Sequence, residues 1–339
     1  MAQVLIRTPA MLEWLKQHAA AGCRSGEEGF CVLCSLKQTY DQMLDGSVGC
    51  AGVRPVIAQR RHTVHAEFVR GQHDAVDYME RFLERAKDKE VEDQRYGLWG
   101  GVRQTHPVAT QVDRLFGHVQ ETRRQCTSCG GAVRSWYANE PILRLSPVVM
   151  EGGPLTMSEL YSASCAVGES SLPCPQCQRE TVHRTQVRMM TAPNVLAIQV
   201  RREPGPRVPV AVEQQLELPG FPLMELIGVV YHNGADFHSG HYTCVCRGPG
   251  GRYFSYDDAP MPVHREDGDI SHIRPRQVVL AVYGRGDGGA TLAQVAAEAD
   301  EIAVVGIDEP VAALGAEPHN VPSSSSGLSA RRFVAQDFQ

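Results

Sequence analysis

The chain is poor in aromatic residues, contains no long apolar run and has no excess of positive charge. Phe, Trp and Tyr make up 6% of its 339 residues. No stretch approaches the roughly 20 apolar residues of a membrane-spanning helix, and the N-terminus lacks the pattern of a secretory signal. The net charge of −6 disfavours non-specific binding to nucleic acid or anionic membranes. We therefore expect an intracellular protein of the cytoplasm or nucleus, with no membrane partner and no specific nucleic-acid partner.

The order of predicted elements favours an α+β fold. Apolar residues at helical spacing predict helices over residues 1–22 and 66–88, and the polar stretch 89–110 predicts a loop. From about residue 111, short strand-like runs such as "NVLAIQVRR" and "VVLAVYG" follow one another. Helices that precede a long series of strands are typical of α+β proteins.

The C-terminal segment has a different composition from the rest of the chain. Residues 286–339 are rich in Gly, Ala and Ser and include the run "SSSSG". Such a composition predicts a disordered tail, with a short helix at 291–299 as the alternative.

Two C-x-x-C pairs indicate a metal site. Because no secretory signal is present, the 11 cysteines are expected to be thiols or metal ligands and not disulfides. "CTSC" and "CPQC" each let two thiolates meet one ion, and together they supply the four-sulfur shell of structural zinc. The predicted ligands are Cys126, Cys129, Cys174 and Cys177. The alternative is two unrelated redox or buried cysteine pairs.

A second group of cysteines, Cys23, Cys31 and Cys34, lies near the first predicted helix. Their spacing is irregular, so buried thiols are the favoured interpretation. His18 is available as a fourth ligand if the group binds a second metal.

Several sequence blocks resemble the ubiquitin-specific proteases, which are papain-like deubiquitinases. The similarity covers roughly residues 3–285, in the family's order and spacing. The blocks are "GQHDAVDYMERFL", "VDRLFGHVQETRRQCTSCGG", "CPQC" through "PNVLAIQVRR", "LIGVVYHNGADFHSGHYTCVC", "RYFSYDDAPM" and "VVLAVYGR". The resemblance implies a right-hand architecture: a helical thumb over 1–110, zinc-ribbon β fingers over about 111–200 and a β palm over about 196–285. It also implies a catalytic domain over 1–285 that acts as a monomer on ubiquitin and ubiquitinated proteins.

The resemblance also assigns residue roles. The family cleaves the bond after the C-terminal Gly of ubiquitin by cysteine-protease chemistry, which requires no catalytic cofactor. His241 matches the general base, Asp257 the residue that orients it, and Asp258 a supporting acid. The residues expected to contact the ubiquitin tail are Gln72, Asp74, Gly240 and Tyr242.

The family's nucleophilic cysteine has no counterpart at the expected place. "QVLIRTP" at residues 3–9 looks like the end of the family's cysteine block, so the nucleophile is expected several residues before Met1. Cys23, Cys31 and Cys34 follow the first predicted helix and do not cap its N-terminus, where a thiol would be activated. The open explanations are an incomplete sequence, alternative initiation and a pseudoenzyme. Retention of His241 and Asp257 favours the first.

Two further classes of function serve as alternatives to an active protease. One is a catalytically inactive scaffold that binds ubiquitin. The other is a zinc-ribbon protein that binds nucleic acid through Arg114, Arg123 and Arg124 near the first cysteine pair. The negative net charge disfavours the second alternative.

Overall fold

The structure is a computed structural model of the full chain. It describes residues 1–23, 31–44, 56–69, 73–97, 109–131, 133–147, 155–202, 208–234, 239–248, 251–257, 265–267, 270 and 277–285. Contacts divide the chain into two units, Met1–Ala299 and Asp300–Gln339. The predicted tail, 286–339, lies outside the described residues, and the predicted boundaries of thumb, fingers and palm stay predictions.

Eight α-helices occur in the described part of the chain. They are α1 (Ala2–Ile6), α2 (Pro9–Ala20), α3 (Val32–Leu44), α4 (Val56–Gln59), α5 (Arg61–Val64), α6 (Ala75–Gly97), α7 (Gln111–Phe116) and α8 (Met157–Ser164). A 3₁₀ turn over Ala66–Val69 precedes α6. None of these helices is both long enough and apolar enough to span a membrane.

Local sequence accounts for several helix boundaries. Pro9 occupies the first turn of α2, where its missing N–H costs no hydrogen bond, so the predicted helix 1–22 is divided into α1 and α2. Thr110 caps α7 and Thr156 caps α8, each through a reciprocal capping box with an acidic residue three positions later.

The described strands number fourteen. They are β1 (His118–Cys126), β2 (Arg134–Glu140), β3 (Ile142–Leu145), β4 (Leu155–Thr156), β5 (Gly168–Cys174), β6 (Arg179–Met189), β7 (Val195–Val200), β8 (Val210–Ala211), β9 (Gln215–Leu216), β10 (Met224–Asn233), β11 (His241–Arg247), β12 (Tyr253–Tyr256), β13 (Arg265–Asp267) and β14 (Val278–Arg285).

Two main sheets contain most of these strands. The small sheet has the order β2-β1-β6-β5, with antiparallel pairing throughout. The large sheet has the order β13-β12-β11-β10-β14-β7-β3, and β9 pairs with β10. Strand β3 runs parallel to β7, whereas the other pairs of the large sheet are antiparallel. Helices followed by these sheets confirm the predicted α+β class.

The large sheet separates two hydrophobic clusters. One cluster joins helices α1–α3, α6 and α7 to side chains such as Val230, Leu280 and Val282. The other joins α8 to side chains such as Val229 and Ala281. Because both faces of the sheet are buried, its central strands read as continuous apolar runs.

The second predicted helix differs from the one observed. We predict a helix over 66–88 and a loop over 89–110, whereas α6 spans Ala75–Gly97. The loop prediction is therefore wrong for residues 89–97. The segment "KEVEDQRYG" consists mainly of residues with good helix propensity, and the Glu90 carboxylate accepts a hydrogen bond from the Gln111 N–H at 2.7 Å. This contact anchors the extended helix to the start of α7.

Candidate active site and metal clusters

His241 and Asp257 meet at one end of the large sheet. His241 begins β11, and Asp257 directly follows β12, the antiparallel neighbour of β11. The distance from His241 Nε2 to Asp257 Oδ1 is 2.5 Å, and the two side chains are 43% and 32% exposed. Strand pairing thus brings together two residues that are 16 positions apart. The pair is accessible to a substrate.

The contact defines how the imidazole can act. A carboxylate only accepts hydrogen bonds, so Nε2 donates its proton to Asp257 and Nδ1 carries the lone pair in the neutral ring. An acid that holds one ring nitrogen fixes the tautomer and orients the other nitrogen towards the group to be deprotonated. His241 is therefore suited to act as a general base through Nδ1.

The turn before His241 is closely packed. Gly240 has φ +153°, and a Cβ at this position would lie 2.4 Å from His232 Nε2 and 2.7 Å from the Asn233 carbonyl oxygen. A larger residue would therefore displace the turn. The His232 ring is buried and stacks on Tyr242, with 4.5 Å between ring centroids. Gly240 and Tyr242, which we predict to contact the ubiquitin tail, thus also hold the backbone that carries His241.

The first helix packs beside the strands of this pair. Val4 of α1 is buried within 3.3 Å of the position that a Cβ on Gly228 of β10 would occupy. The Arg7 guanidinium lies over the Tyr256 ring, 4.6 Å from its centroid. Tyr256 immediately precedes Asp257. The N-terminal segment therefore lies against the part of the sheet that carries the His–Asp pair.

The structure places Asp74 at the start of α6. Its Oδ1 accepts a hydrogen bond from the Val76 N–H at 2.6 Å, as an N-cap residue does. This local role is compatible with the predicted contact to ubiquitin, which stays a prediction. Gln72 and Asp258, two other predicted site residues, lie outside the described residues.

The four predicted metal ligands form one cluster at the end of the small sheet. The sulfur atoms of Cys126, Cys129, Cys174 and Cys177 all lie within 4.8 Å of one another. Two of the sulfur pairs, Cys126–Cys177 and Cys129–Cys174, are 3.8 Å apart. A disulfide would need about 2.05 Å, whereas sulfurs that share a tetrahedral zinc lie about 3.8 Å apart. The geometry fits a metal and does not fit two disulfides.

The backbone around these cysteines explains why they converge. Cys126 ends β1 and Cys174 ends β5, and both strands pair with β6, so two tight turns meet. Gln178 adopts φ +53° directly after Cys177. A hydrogen bond with the Thr181 hydroxyl lowers the pKa of Cys126 to about 5. The thiolate form that binds a metal is therefore favoured at Cys126.

The second cysteine group also forms a cluster. His18, Cys23, Cys31 and Cys34 bring their ligand atoms within 4.8 Å of one another. His18 Nε2 lies 3.3 Å from Cys31 Sγ and 3.5 Å from Cys34 Sγ. We predict buried thiols at these three positions. Cys31 is buried, whereas Cys23 and Cys34 are half-buried.

The remaining described cysteines belong to other environments. Cys244 and Cys246 are 6% and 0% exposed within the core beneath the helices, and burial raises the pKa of the Cys246 thiol. Cys165 is half-buried at the end of α8. Cys50 lies outside the described residues.

A buried carboxylate in the small sheet does not follow from the sequence pattern. Glu121 is 1% exposed and accepts hydrogen bonds from Arg123 and Arg188 at 2.8 and 2.7 Å, and from the Tyr137 hydroxyl at 3.2 Å. Burial opposes ionisation, but the two guanidinium groups outweigh it and lower the pKa of Glu121 to about 2. Arg123 lies two positions away on the same strand, but only strand register brings Tyr137 and Arg188 to Glu121, so no local motif could have identified those two partners.

Fold and site together define a class. A large sheet covered by helices, a separate small sheet and a His–Asp pair at the sheet end form the α+β, papain-like architecture of the ubiquitin-specific deubiquitinases. The family described as ubiquitin carboxyl-terminal hydrolase matches residues 1–283. The chain belongs to this family.

Curated relatives match at low identity. Ubiquitin carboxyl-terminal hydrolase 36 of Drosophila ananassae is 24% identical over 280 residues, which cover 76% of this chain and 25% of the relative. Ubiquitin carboxyl-terminal hydrolase 17-like protein B of Mus musculus is 23% identical over 285 residues, which cover 76% of this chain and 56% of the relative. The chain therefore spans about a quarter to a half of the length of these relatives.

Solved structures share the fold. The SAGA Ubp8/Sgf11/Sus1/Sgf73 DUB module bound to ubiquitin aldehyde contains a chain that matches with a TM-score of 0.63 and 17% identity, over 84% of this chain and 66% of that chain. The Ubp8-Sgf11-Sgf73-Sus1 SAGA DUB module matches with a TM-score of 0.62 and 18% identity, over 84% of this chain and 63% of that chain. At this level of sequence identity, the similarity to these structures shows a shared fold and nothing more.

Proposed function

We propose that this protein is a deubiquitinase that cleaves the bond after the C-terminal Gly of ubiquitin. The observation that carries the proposal is the His241–Asp257 contact at 2.5 Å within a fold of this family. His241 Nδ1 takes the proton of a cysteine thiol, and the thiolate attacks the carbonyl carbon to give an acyl-enzyme. His241 then protonates the leaving amine, and water hydrolyses the acyl-enzyme. Asp257 keeps the imidazole in the required tautomer, and Asp258 supports the pair.

The nucleophile is proposed to lie upstream of Met1. The described cysteines support this proposal. Each of them lies in a cluster with the spacing of metal ligands, in the hydrophobic core or at the end of α8. The position of α1 also supports it. This helix packs on β10 of the sheet that carries His241, and Arg7 at its C-terminal end lies over Tyr256, the residue before Asp257.

The four-cysteine cluster of the small sheet is proposed to hold one structural zinc ion. Cys126, Cys129, Cys174 and Cys177 would bind it, and four thiolates leave no open position for a substrate. The metal would therefore fix the two turns that end β1 and β5, and it would take no part in the cleavage.

Ubiquitin and ubiquitinated proteins are the proposed partners. The ubiquitin tail would lie near Gly240, Tyr242, Asp74 and Gln72, and the small sheet would contact the globular body. Arg123 is paired with Glu121, and Arg124 lies over Trp136, 5.3 Å from its ring centroid. These existing contacts make the arginines less suited to binding phosphates. We further propose that the protein acts inside the cell as a monomer.

An activity probe tests this function. A ubiquitin derivative with an electrophile at its C-terminus should label the chain extended upstream to include a cysteine block, and should leave the 339-residue chain unlabelled. Replacement of His241 by Ala should abolish labelling of the extended chain. The variant His62→Ala, which changes an exposed histidine on α5, is the matched control.

Other outcomes would change the conclusion. Labelling of the 339-residue chain itself would mean that one of its own cysteines is the nucleophile. Binding of ubiquitin without labelling of either chain would favour the alternative of an inactive, ubiquitin-binding scaffold.

A further inference from the structure

The cluster formed by His18, Cys23, Cys31 and Cys34 lies at the ends of α2 and α3, and the proposed function does not use it. We infer that this cluster is a second zinc site, built from three thiolates and one imidazole. The inference concerns a different part of the molecule from the four-cysteine cluster and does not depend on activity.

The spacing of the ligand atoms is that of a tetrahedral zinc shell. With Zn–S near 2.3 Å and Zn–N near 2.0–2.1 Å, a sulfur and a nitrogen on one ion lie about 3.6 Å apart. The observed distances from His18 Nε2 are 3.3 Å to Cys31 and 3.5 Å to Cys34. All four ligand atoms lie within 4.8 Å of one another, so a single ion can reach each of them.

The sequence positions of the ligands suit such a site. Cys31 and Cys34 form a C-x-x-C pair, in which Cys31 directly precedes α3 and Cys34 lies in its first turn. His18 lies in the last turn of α2, and Cys23 follows that helix. The imidazole nitrogen that faces the thiols is a common metal ligand when neutral. Buried thiols alone would not require a histidine directed into their centre.

The structural context indicates what the metal would do. The site joins the C-terminal end of α2 to the N-terminal end of α3. Leu15 of α2 and Leu33 of α3 are buried in the same core, which also contains Val4 of α1. Closed coordination by four side chains leaves no position for a substrate. The ion would therefore fix the helices that support the N-terminal segment beside the large sheet.

Metal analysis tests the inference without any variant. The purified 339-residue chain should contain about two zinc ions, one for each cluster. One zinc ion whose X-ray absorption spectrum reports only sulfur ligands would overturn the inference, because the His18 cluster would then be a set of metal-free thiols.

Variants separate the two clusters. The double variant Cys126→Ser, Cys129→Ser should keep about one zinc ion, with a first shell of about three sulfurs and one nitrogen. The double variant Cys31→Ser, Cys34→Ser should keep about one zinc ion, surrounded by about four sulfurs. The control Cys165→Ser changes a cysteine outside both clusters and should keep both ions. An unchanged zinc content in Cys31→Ser, Cys34→Ser would also overturn the inference.

A conservative variant covers the case in which loss of the site prevents folding. His18→Cys retains four ligands, so the chain should still bind two zinc ions. Cobalt substituted into the two sites should then give the spectrum of two all-sulfur shells. Cobalt spectra identical for the wild type and His18→Cys would mean that His18 is not a ligand.

Discussion

The large and small sheets differ in what holds them together. Both faces of the large sheet are covered by hydrophobic clusters, and β14 at its centre is buried over six consecutive residues. The small sheet has no such cover among its described residues, and six of the seven residues of β2 are exposed. Its described internal contacts include the Glu121 ion pairs and the cysteine cluster at its end. Burial therefore stabilises one sheet, whereas polar contacts stabilise the other.

This difference matches the proposed roles of the two sheets. The His–Asp contact must keep its geometry to within a fraction of an ångström, which a packed sheet provides. A sheet that binds the folded body of a partner needs exposed side chains, and Trp136 and Tyr137 are 48% and 65% exposed. Exposed apolar side chains cannot also form a core, so metal and ion pairs have to replace it.

The largest expected effect concerns catalysis on the large sheet. In the chain extended by the proposed upstream cysteine block, His241→Ala should lower kcat/KM by about 10⁴-fold, because the proposed base that activates the nucleophile is lost. Cleavage of a fluorogenic amide at the ubiquitin C-terminus measures this change. His62→Ala should leave the rate unaltered. Activity retained in His241→Ala would assign the base elsewhere.

The next effect concerns the metal cluster of the small sheet. The double variant Cys126→Ser, Cys129→Ser should destabilise β1, β5 and β6 by more than about 4 kcal/mol, since loss of a metal site belongs to the largest mutational effects. Hydrogen exchange followed by mass spectrometry should show fast exchange in the small sheet, with β10 and β14 still protected. Equal loss of protection in both sheets would mean that the metal cluster does not stabilise the small sheet selectively.

A pair of substitutions of apolar residues by Ala compares the sheets directly. Leu280→Ala removes a side chain that is 0% exposed in β14 and should lower the free energy of unfolding by about 3 kcal/mol. Val187→Ala in β6, where the side chain is 37% exposed, should cost about 0.5 kcal/mol. Urea denaturation measures both changes. Similar costs at the two positions would contradict the contrast in burial.

A smaller effect than that of Leu280→Ala is expected at the buried carboxylate of the small sheet. Glu121→Gln should lower the free energy of unfolding by about 1–2 kcal/mol at neutral pH, because the hydrogen bonds of Arg123 and Arg188 lose a charged partner. The pKa of Glu121 is lowered from an ordinary value of 4.5 to about 2 in the folded state. Its contribution is therefore fully present above about pH 4.5 and is lost as the pH falls towards 2.

The pH dependence provides the measurement for this residue. The difference in stability between wild type and Glu121→Gln should shrink as the pH falls from about 4.5 to 2. Glu169→Gln is the control, because Glu169 forms an exposed pair with Arg184 at 3.8 Å and should change stability by less than about 0.5 kcal/mol. A difference that does not vary with pH would contradict the proposed ion pairs.

Much of the candidate site could be predicted because its signals are local. Each C-x-x-C pair is a single tight turn, so its two sulfurs must lie close together whatever the fold. The alternation and spacing of "HYTCVC" and "RYFSYDD" predict two neighbouring strands, with His241 at the start of one and Asp257 at the end of the other. Apolar periodicity does not predict the extension of α6 through Gly97. By that criterion alone, polar residues of high helix propensity resemble a loop.

By itself, the sequence determined the α+β class, the family, the two C-x-x-C turns and the identity of the His–Asp pair. Only the tertiary structure decided which distant groups meet. It places β14, the last described strand, between β10 and β7, brings Arg188 to Glu121, and directs His18 at Cys31 and Cys34. The physical reason is that covalent spacing fixes contacts within a turn. Contacts between strands and helices depend instead on register and packing, which no short segment specifies.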